Sequence, residues 1–147
     1  MGTFTSILVP IDGSSNSKRV LLYAGNLSEL FKARVGILYV VSIPKILPVF
    51  DHIHTGAYVP AQALEDSMDA GRAIVNEALG LLPPTVEANA FVETGVPSDV
   101  IVKFCHQNNY DLIVIGRRGL GKFQEFVLGS VSKYVMEHAS CPVMVIK

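Results

Sequence analysis

Short, uninterrupted apolar runs alternate along this chain with longer stretches in which apolar residues recur every three or four positions. The runs include Ile7 to Ile11 near the start, Leu112 to Ile115, which is the most apolar, and Pro142 to Ile146 at the end. Such runs are typical of parallel strands covered by helices on both faces, and the three-and-four spacing is typical of amphipathic helices. The alternation therefore predicts an α/β fold.

Five strands and four helices are predicted in this way, the pattern of a single-domain, doubly wound, five-stranded parallel sheet of Rossmann-like architecture over residues 1–147. Polar positions in the third strand place it near an edge, whereas the most apolar strand is expected to lie centrally. The predicted strands are Ile7 to Ile11, Val35 to Val41, Val86 to Val92, Leu112 to Ile115 and Pro142 to Ile146. The predicted helices follow Ser15, span Ala61 to Leu82, follow Pro97 and include Val131 to Ala139.

Composition removes several classes of protein. The 147 residues are 50% hydrophobic and 17% charged, with a formal net charge of -1, which excludes a disordered chain and argues against nucleic-acid binding. No run approaches the roughly 20 apolar residues of a membrane span, and no secretory signal pattern is present, so we expect a cytoplasmic protein without membrane partners. Cys105 and Cys141 are expected to be buried free thiols.

Two segments carry chemistry at the carboxyl ends of predicted strands, where such sheets bind their ligands. Asp12 directly follows the first strand, and Gly116 to Lys122 directly follows the fourth. Glycines let backbone N–H groups approach an anion, basic side chains add charge, and Gly129-Ser130 opens a helix whose N-terminus attracts anions. On spacing alone, these glycines could equally be turn residues, and Asp12 and Ser130 could equally be caps.

The combination of glycine elements is more specific than either one. Gly116, Gly119 and Gly129-Ser130 stand in the arrangement G-x2-G-x9-G-S, which resembles the ATP-binding class of the universal stress protein family. The resemblance spans the whole chain and implies a fold similar to that of the adenine nucleotide alpha hydrolases. The other matching pieces are Ile7 to Ser14, Gly95-Val96-Pro97, Asp111 to Gly116 and Cys141 to Ile146.

This resemblance implies a site for ATP, with adenine and ribose near Asp12 and Val40 and the phosphates held by the glycine loop and the fourth helix. Mg²⁺ or Mn²⁺ would arrive with the phosphates, since the sequence has no carboxylate cluster for a metal site of its own. No catalytic residue is assigned. The implied binding residues are Pro10, Asp12, Val40, Ile115, Gly116, Arg117, Gly119, Gly129, Ser130, Val131 and Ser132.

The expected function is that of a stress-response regulator in which ATP stabilises one state of a homodimer. The alternative is an enzyme, a slow ATPase or a phosphoryl or nucleotidyl transferase that uses the same pocket. A P-loop is excluded because Lys122 is followed by Phe123 and not by Ser or Thr. The chain also lacks the HxGH motif that nucleotidyl transferases of related architecture carry.

Two further expectations concern the end of the chain and its longest loop. Pro142 to Ile146 is an apolar strand with little charge, and an unprotected edge of this kind pairs readily with another chain. The family resemblance also implies dimerisation through this strand, so we expect a homodimer. Residues 42–60 contain three prolines and a glycine without a clear period, and this loop is a candidate lid over the site.

Overall fold

A computed structural model describes residues 3–43, 60–117 and 128–147 of the chain. Within these residues, five strands form one sheet and four helices cover it. The strands are β1 (Ser6–Ile11), β2 (Arg34–Ser42), β3 (Ala88–Gly95), β4 (Leu112–Gly116) and β5 (Val143–Ile146). The helices are α1 (Asn16–Phe31), α2 (Ala61–Leu81), α3 (Pro97–Gln107) and α4 (Ser130–His138).

The sheet has the strand order β3-β2-β1-β4-β5, and every neighbouring pair is parallel. The chain builds outward from β1 through β2 to β3, then crosses to the other side of β1 and adds β4 and β5. The connections after β1 and β4 therefore diverge between adjacent strands, which is the topological switch point of a doubly wound sheet. This confirms the predicted fold class.

Both faces of the sheet are buried along its inner strands, and this explains their uninterrupted apolar runs. Along β1, Ile7 and Val9 pack into one hydrophobic cluster with α1 and α2, whereas Leu8 between them packs into a second cluster with α3 and α4. Successive side chains of a strand point to opposite faces, so a strand covered on both sides needs an apolar residue at every position. β4 follows the same rule, with Val114 in the first cluster and Ile113 in the second.

The edges and the centre of the sheet correct one detail of the prediction. β3 lies at one edge, as its polar positions predicted, and β5 lies at the other. β4 is an interior strand, but the middle strand is β1, whose six residues are all buried. Apolar content therefore marked β1 and β4 as interior strands without ranking them, because both are covered on both faces in the same way.

Several boundaries also differ from the sequence-based expectation, and β3 ends at Gly95, three residues beyond the predicted Val92. β3 starts at Ala88 and not at Val86, because the N–H of Val86 donates to the Pro83 carbonyl at 3.0 Å and so belongs to a turn. α2 ends at Leu81, since Leu82 is extended, with φ −81° and ψ 147°. A residue before proline is sterically pushed out of the helical region, which accounts for this ending. The expected lid, residues 42–60, lies almost wholly outside the described residues.

No helix among the residues that the structure describes is both long and apolar enough to cross a membrane.

Candidate functional site

A cavity of about 630 Å³ opens at the carboxyl ends of β1, β2 and β4, at the switch point of the sheet. Its walls come from the turn after β1, the first turn of α1, the end of β2, the first half of α3 and the start of α4. Ligand sites in proteins commonly occupy about 300–1,000 Å³, and in open α/β sheets they lie at this position. The fold therefore forms a cavity where the sequence predicted a ligand site.

Nine of the eleven residues predicted to bind a ligand border this cavity. They are Pro10, Asp12, Val40, Ile115, Gly116, Gly129, Ser130, Val131 and Ser132. These residues come from four separate segments of the chain, and only the parallel sheet brings their segments to one place. Of the other two, Gly119 lies outside the described residues and Arg117 is not part of the described wall.

Arg117 instead joins three elements through its backbone. Its N–H donates to the carbonyl of Ile146 in β5 at 2.9 Å, and its carbonyl accepts from the N–H of Gly129 at 2.8 Å. The second bond ties the end of β4 to the residue that precedes α4. The backbone of Arg117 thus helps to set the direction in which α4 starts, and α4 in turn borders the cavity.

Asp12 sits directly after β1 on the cavity wall and is half-buried. Its Oδ1 accepts a hydrogen bond from the N–H of Ser14 at 2.9 Å, which closes an Asx turn. Gly13 between them has a φ of 79°, a left-handed conformation that glycine adopts without strain. The turn-capping role that the sequence left open is therefore real, and it occupies one acceptor of a carboxylate that also borders the cavity.

The N-terminus of α4 brings backbone N–H groups to the cavity. Gly129 precedes the helix, and the first helical hydrogen bond runs from the N–H of Lys133 to the Gly129 carbonyl at 2.9 Å. The N–H groups of residues 130–132 consequently have no carbonyl partner within the helix, and the aligned peptide dipoles leave a partial positive charge there. This end of the wall suits an anion.

The two serines of this turn have different roles. Ser132 is buried, with 4% of its surface exposed, and its hydroxyl donates to the Gly116 carbonyl at 2.6 Å. That bond fastens α4 to the end of β4. Ser130 is exposed and lines the cavity as the first residue of the helix. Ser130 is therefore the better hydroxyl for a ligand, and Ser132 holds the wall in place.

Sequence reasoning missed part of the wall. Ser14, Asn16 and Ser17 at the start of α1 border the cavity, as do Tyr39 and Ser42 of β2 and Pro97 and Ile101 of α3. The polar residues near α1 had a usable signal, because they directly follow Asp12 at a predicted helix start. Ile101 of α3 had none, since it looks like any core residue of an amphipathic helix.

The described wall of the cavity carries little charge. Asp12 is the one charged side chain among the lining residues that the structure describes, and the remaining lining residues are apolar or neutral. Across residues 3–43, 60–117 and 128–147 there is no group of three or more His, Cys, Asp or Glu side chains that could hold a metal ion. The wall thus combines one acidic acceptor, a helix N-terminus and a largely apolar surface.

These features define a class, the α/β proteins that carry a ligand cavity at the switch point of a doubly wound parallel sheet. The family model described as "Universal stress protein family" matches residues 3–147. The chain belongs to the universal stress protein family.

Individual relatives agree with this assignment. A universal stress protein of Methanocaldococcus jannaschii is 30% identical over 148 residues, which cover 98% of this chain and 82% of that protein. A universal stress protein A-like protein of Arabidopsis thaliana is 45% identical over 62 residues, which cover 42% of this chain and 35% of that protein. Universal stress protein UspA from Lactobacillus plantarum has a solved structure with a TM-score of 0.79, 26% identity and complete coverage of both chains.

Two more distant structures contain nucleotides. A universal stress protein from Archaeoglobus fulgidus was solved in complex with dAMP, and it matches with a TM-score of 0.66, 23% identity and coverage of 99% and 100% of the two chains. Another universal stress protein was solved in complex with cAMP, with a TM-score of 0.64, 21% identity and coverage of 99% and 98%. At these identities the likeness is one of fold.

Proposed function

We propose that this protein binds an adenine nucleotide, with ATP as its main ligand, in the cavity at the switch point, and that the bound nucleotide regulates its action under stress. The observation that carries the proposal is that an acidic acceptor, Asp12, and the N-terminus of α4 border the same cavity. A nucleotide carries hydroxyl and amine donors at one end and phosphates at the other, so it matches both features at once.

The phosphate end of the nucleotide is assigned to the start of α4. The N–H groups of residues 130–132 and the positive end of the helix dipole attract anionic oxygens, and the Ser130 hydroxyl can donate a further bond. Gly116 and Gly129 border the cavity without side chains, so phosphate oxygens can approach their backbone. The glycine pattern that includes Gly119 supports the same assignment through the family resemblance.

The nucleoside end is assigned to β1 and β2. The Asp12 carboxylate accepts hydrogen bonds only, and its Oδ2 can receive ribose hydroxyls or the adenine amine while Oδ1 holds the turn. Pro10, Val40 and Ile115 supply apolar surface against which a purine can pack. Ligand pockets commonly combine such an apolar wall with a few polar groups that fix orientation.

The metal ion is proposed to arrive with the phosphates. Mg²⁺ prefers oxygen ligands and is often bound by substrate phosphates with one or two carboxylates, so ATP itself would supply most of its coordination. When bound, the ion would neutralise phosphate charge beside the start of α4. The proposed role is binding and regulation, since the charged part of the described wall is a single carboxylate engaged in a turn.

The solved neighbours support the choice of adenine nucleotides as a class. Both dAMP and cAMP contain adenine and phosphate, the two parts that the two ends of this cavity suit. ATP is the finer part of the proposal and rests on the glycine pattern. Competition binding experiments with ATP, AMP and cAMP would show which of these ligands the site binds most tightly.

A homodimer through the last strand completes the proposal. Among the described strands, β5 pairs with β4 alone, and Met144, at its second position, is 37% exposed while Val143 and Val145 are half-buried. A sheet edge presents unpaired N–H and C=O groups, so pairing with a second copy would satisfy them and cover these apolar side chains. Sedimentation should give a dimer at tens of micromolar, and a monomer there would contradict this part.

Calorimetric titration of ATP with Mg²⁺ tests the binding proposal, with a pair of variants at one position. Ser130→Asp adds a negative charge at the first residue of α4, where it stabilises the helix but repels phosphates. We expect ATP affinity to fall at least tenfold, adenosine affinity to stay unchanged, and the neutral, similarly sized Ser130→Asn to bind ATP nearly as the wild type does. Absence of heat from the wild type at submillimolar ATP would overturn the proposal.

Turnover is tested separately, by incubating the protein with labelled ATP for hours. A binding protein should release product at the background rate. Release well above background that disappears in Ser130→Ala would favour the enzyme alternative, in which the same pocket hydrolyses ATP or transfers a phosphoryl or nucleotidyl group.

A further inference from the structure

The two cysteines of the chain lie 36 positions apart and meet in the fold. Cys105 belongs to α3, and Cys141 lies between α4 and β5. Their Sγ atoms are 3.4 Å apart, which is the distance of a thiol–thiol hydrogen bond. A disulfide has an S–S distance of about 2 Å, so the two sulfurs must move closer before they can be joined.

Backbone hydrogen bonds hold Cys105 and the residue after Cys141 in place. The N–H of Tyr110 donates to the Cys105 carbonyl at 3.0 Å, and the N–H of Ile113 donates to the carbonyl of Pro142 at 3.0 Å. The first bond fixes the end of α3, and the second fixes the segment that carries Cys141 against β4. The fold therefore places the two backbones where the thiols can meet.

The two thiols differ in access and in reactivity. Cys105 is 1% exposed, and its burial, together with the hydrogen bond to Cys141, raises the pKa of its thiol to about 12. It stays protonated near neutral pH, and it is also close enough to donate to the Tyr110 carbonyl at 3.5 Å. Cys141 is half-buried. Cys141 is therefore the thiol that is more accessible to an oxidant from solution, and Cys105 is the buried one.

We propose that Cys105 and Cys141 are a redox modification site that forms a reversible intramolecular disulfide when the protein meets a peroxide. In the first step the Cys141 sulfur takes one oxygen from hydrogen peroxide, giving a sulfenic acid and one water. In the second step the Cys105 sulfur attacks the Cys141 sulfur, and its proton leaves with the hydroxyl group as a second water. Two thiols lose two electrons, and one peroxide gains them.

This site is separate from the nucleotide cavity and does not rest on the proposed function. α3 begins at the cavity, where Pro97 and Ile101 border it, and Cys105 lies one turn further along. Cys141 precedes β5, so it lies at the amino end of the sheet, whereas the cavity lies at the carboxyl end. The disulfide would tie α3 to the segment that enters the edge strand.

Peroxide treatment of the full chain, followed by unfolding and alkylation, tests the proposal. The expected product has lost two hydrogens from its intact mass, has no thiol left to alkylate, and contains tryptic peptides 104–117 and 134–147 in one cross-linked species. Dithiothreitol should restore both thiols. Two alkylated thiols after treatment, or a Cys141 oxidised to a sulfinic acid without a cross-link, would show that the cysteines are only packing partners.

Single variants test the order of the steps and keep the test valid if one variant folds poorly. In Cys105→Ala, the Cys141 sulfenic acid should accumulate and be trapped by dimedone. In Cys141→Ser, Cys105 should remain reduced under the same treatment, because it is buried and protonated. Circular dichroism establishes that each variant is folded. Equal peroxide reactivity of Cys105 in a folded Cys141→Ser would overturn the proposed order.

ATP titration of the oxidised protein separates this inference from the proposed function. We expect the same affinity before and after oxidation, since neither cysteine lines the cavity. A protein that forms the disulfide but binds no nucleotide would keep the redox site and contradict only the proposed function.

Discussion

Each end of the sheet has an aspartate, but the two carboxylates differ in the number of hydrogen bonds that they accept from the fold. Asp111 precedes β4 at the amino end, and its carboxylate accepts three hydrogen bonds, from the N–H and hydroxyl of Thr5 at 2.8 Å each and from the N–H of Ser6 at 3.0 Å. Asp12 follows β1 at the carboxyl end and accepts from the N–H of Ser14. A carboxylate offers about four acceptor positions, so the fold nearly saturates Asp111 and leaves Asp12 with capacity for a ligand.

Packing follows the same division. At the amino end, the Tyr110 ring stacks with Phe104 at a centroid distance of 6.1 Å, and the Arg34 guanidinium lies over it at 5.6 Å. The Tyr110 hydroxyl lies against Gly36, where any Cβ would collide with it. At the carboxyl end, the same sheet opens into the cavity. Among the described residues, the amino end packs closely around Tyr110 and satisfies Asp111 internally, and the carboxyl end places Asp12 and the start of α4 on the wall of a cavity.

The largest effect on stability is expected from a substitution that adds a methyl group to the closely packed amino end of the sheet. In Gly36→Ala the added methyl group must displace Tyr110, and such overpacking should lower stability by about 2–3 kcal/mol. For a chain of this size that corresponds to a fall in Tm of about 4–12 °C, measured by thermal unfolding.

A matched control lies in α2. A Cβ at Gly80 meets nothing within 4 Å, so Gly80→Ala should raise stability by about 0.5–1 kcal/mol through helix propensity alone. If both alanines change Tm in the same direction, the closed packing around Tyr110 is not what distinguishes the amino end.

The next effect tests the saturated carboxylate. Asp111→Ala removes the acceptor of three hydrogen bonds that join the start of β1 to the start of β4, and it should cost about 1–2 kcal/mol of unfolding free energy because the freed donors can still reach water. Urea unfolding measures this loss. ATP affinity should not change, and a weakened affinity would mean that the two ends of the sheet are coupled.

The strands and the division of the sheet into two covered faces could be predicted from sequence because the cause is local. Each interior strand must be apolar at every position, so Ile7 to Ile11 and Leu112 to Ile115 carry the signal themselves. The start of β3 could not be read in this way. Val86 is apolar like a strand residue, and only its hydrogen bond to Pro83 assigns it to a turn.

The candidate site was predictable where a residue type and a strand end coincide. Asp12, Gly116 and Ser130 combine suitable chemistry with a position next to a predicted element, and all three border the cavity. Ile101 was missed because its role depends on the direction in which α3 starts. The contact between Cys105 and Cys141 was equally hidden, since 36 residues separate them and no spacing pattern relates them.

A smaller effect, on ligand affinity, is expected from a substitution at the carboxyl end of the sheet, where the cavity lies. Asp12→Asn keeps an oxygen that can accept from the Ser14 N–H, so the turn should survive, but it removes the negative charge and replaces the second acceptor with an amide donor. ATP affinity should fall about tenfold, or about 1.4 kcal/mol, with little change in Tm. Calorimetry on Asp111→Asn provides the matched control. Equal losses of affinity in both variants would remove the functional contrast between the two aspartates.

The smallest effect is the pH dependence that Asp111 confers on stability. Burial alone raises the pKa of its carboxyl group, but the hydrogen bonds from Thr5 and Ser6 outweigh burial, and the pKa is lowered from its ordinary value. A lowered folded pKa means that the unfolded chain binds the proton more tightly. The contribution of the Asp111 charge to stability is therefore complete above the unfolded pKa of about 3.9 and is lost as pH falls through the folded pKa.

The free-energy difference between wild type and Asp111→Asn, measured by urea unfolding, should stay constant from pH 7 to about pH 5 and shrink below it. A difference that does not change down to the acid transition would mean that the three hydrogen bonds do not depend on the charge of Asp111.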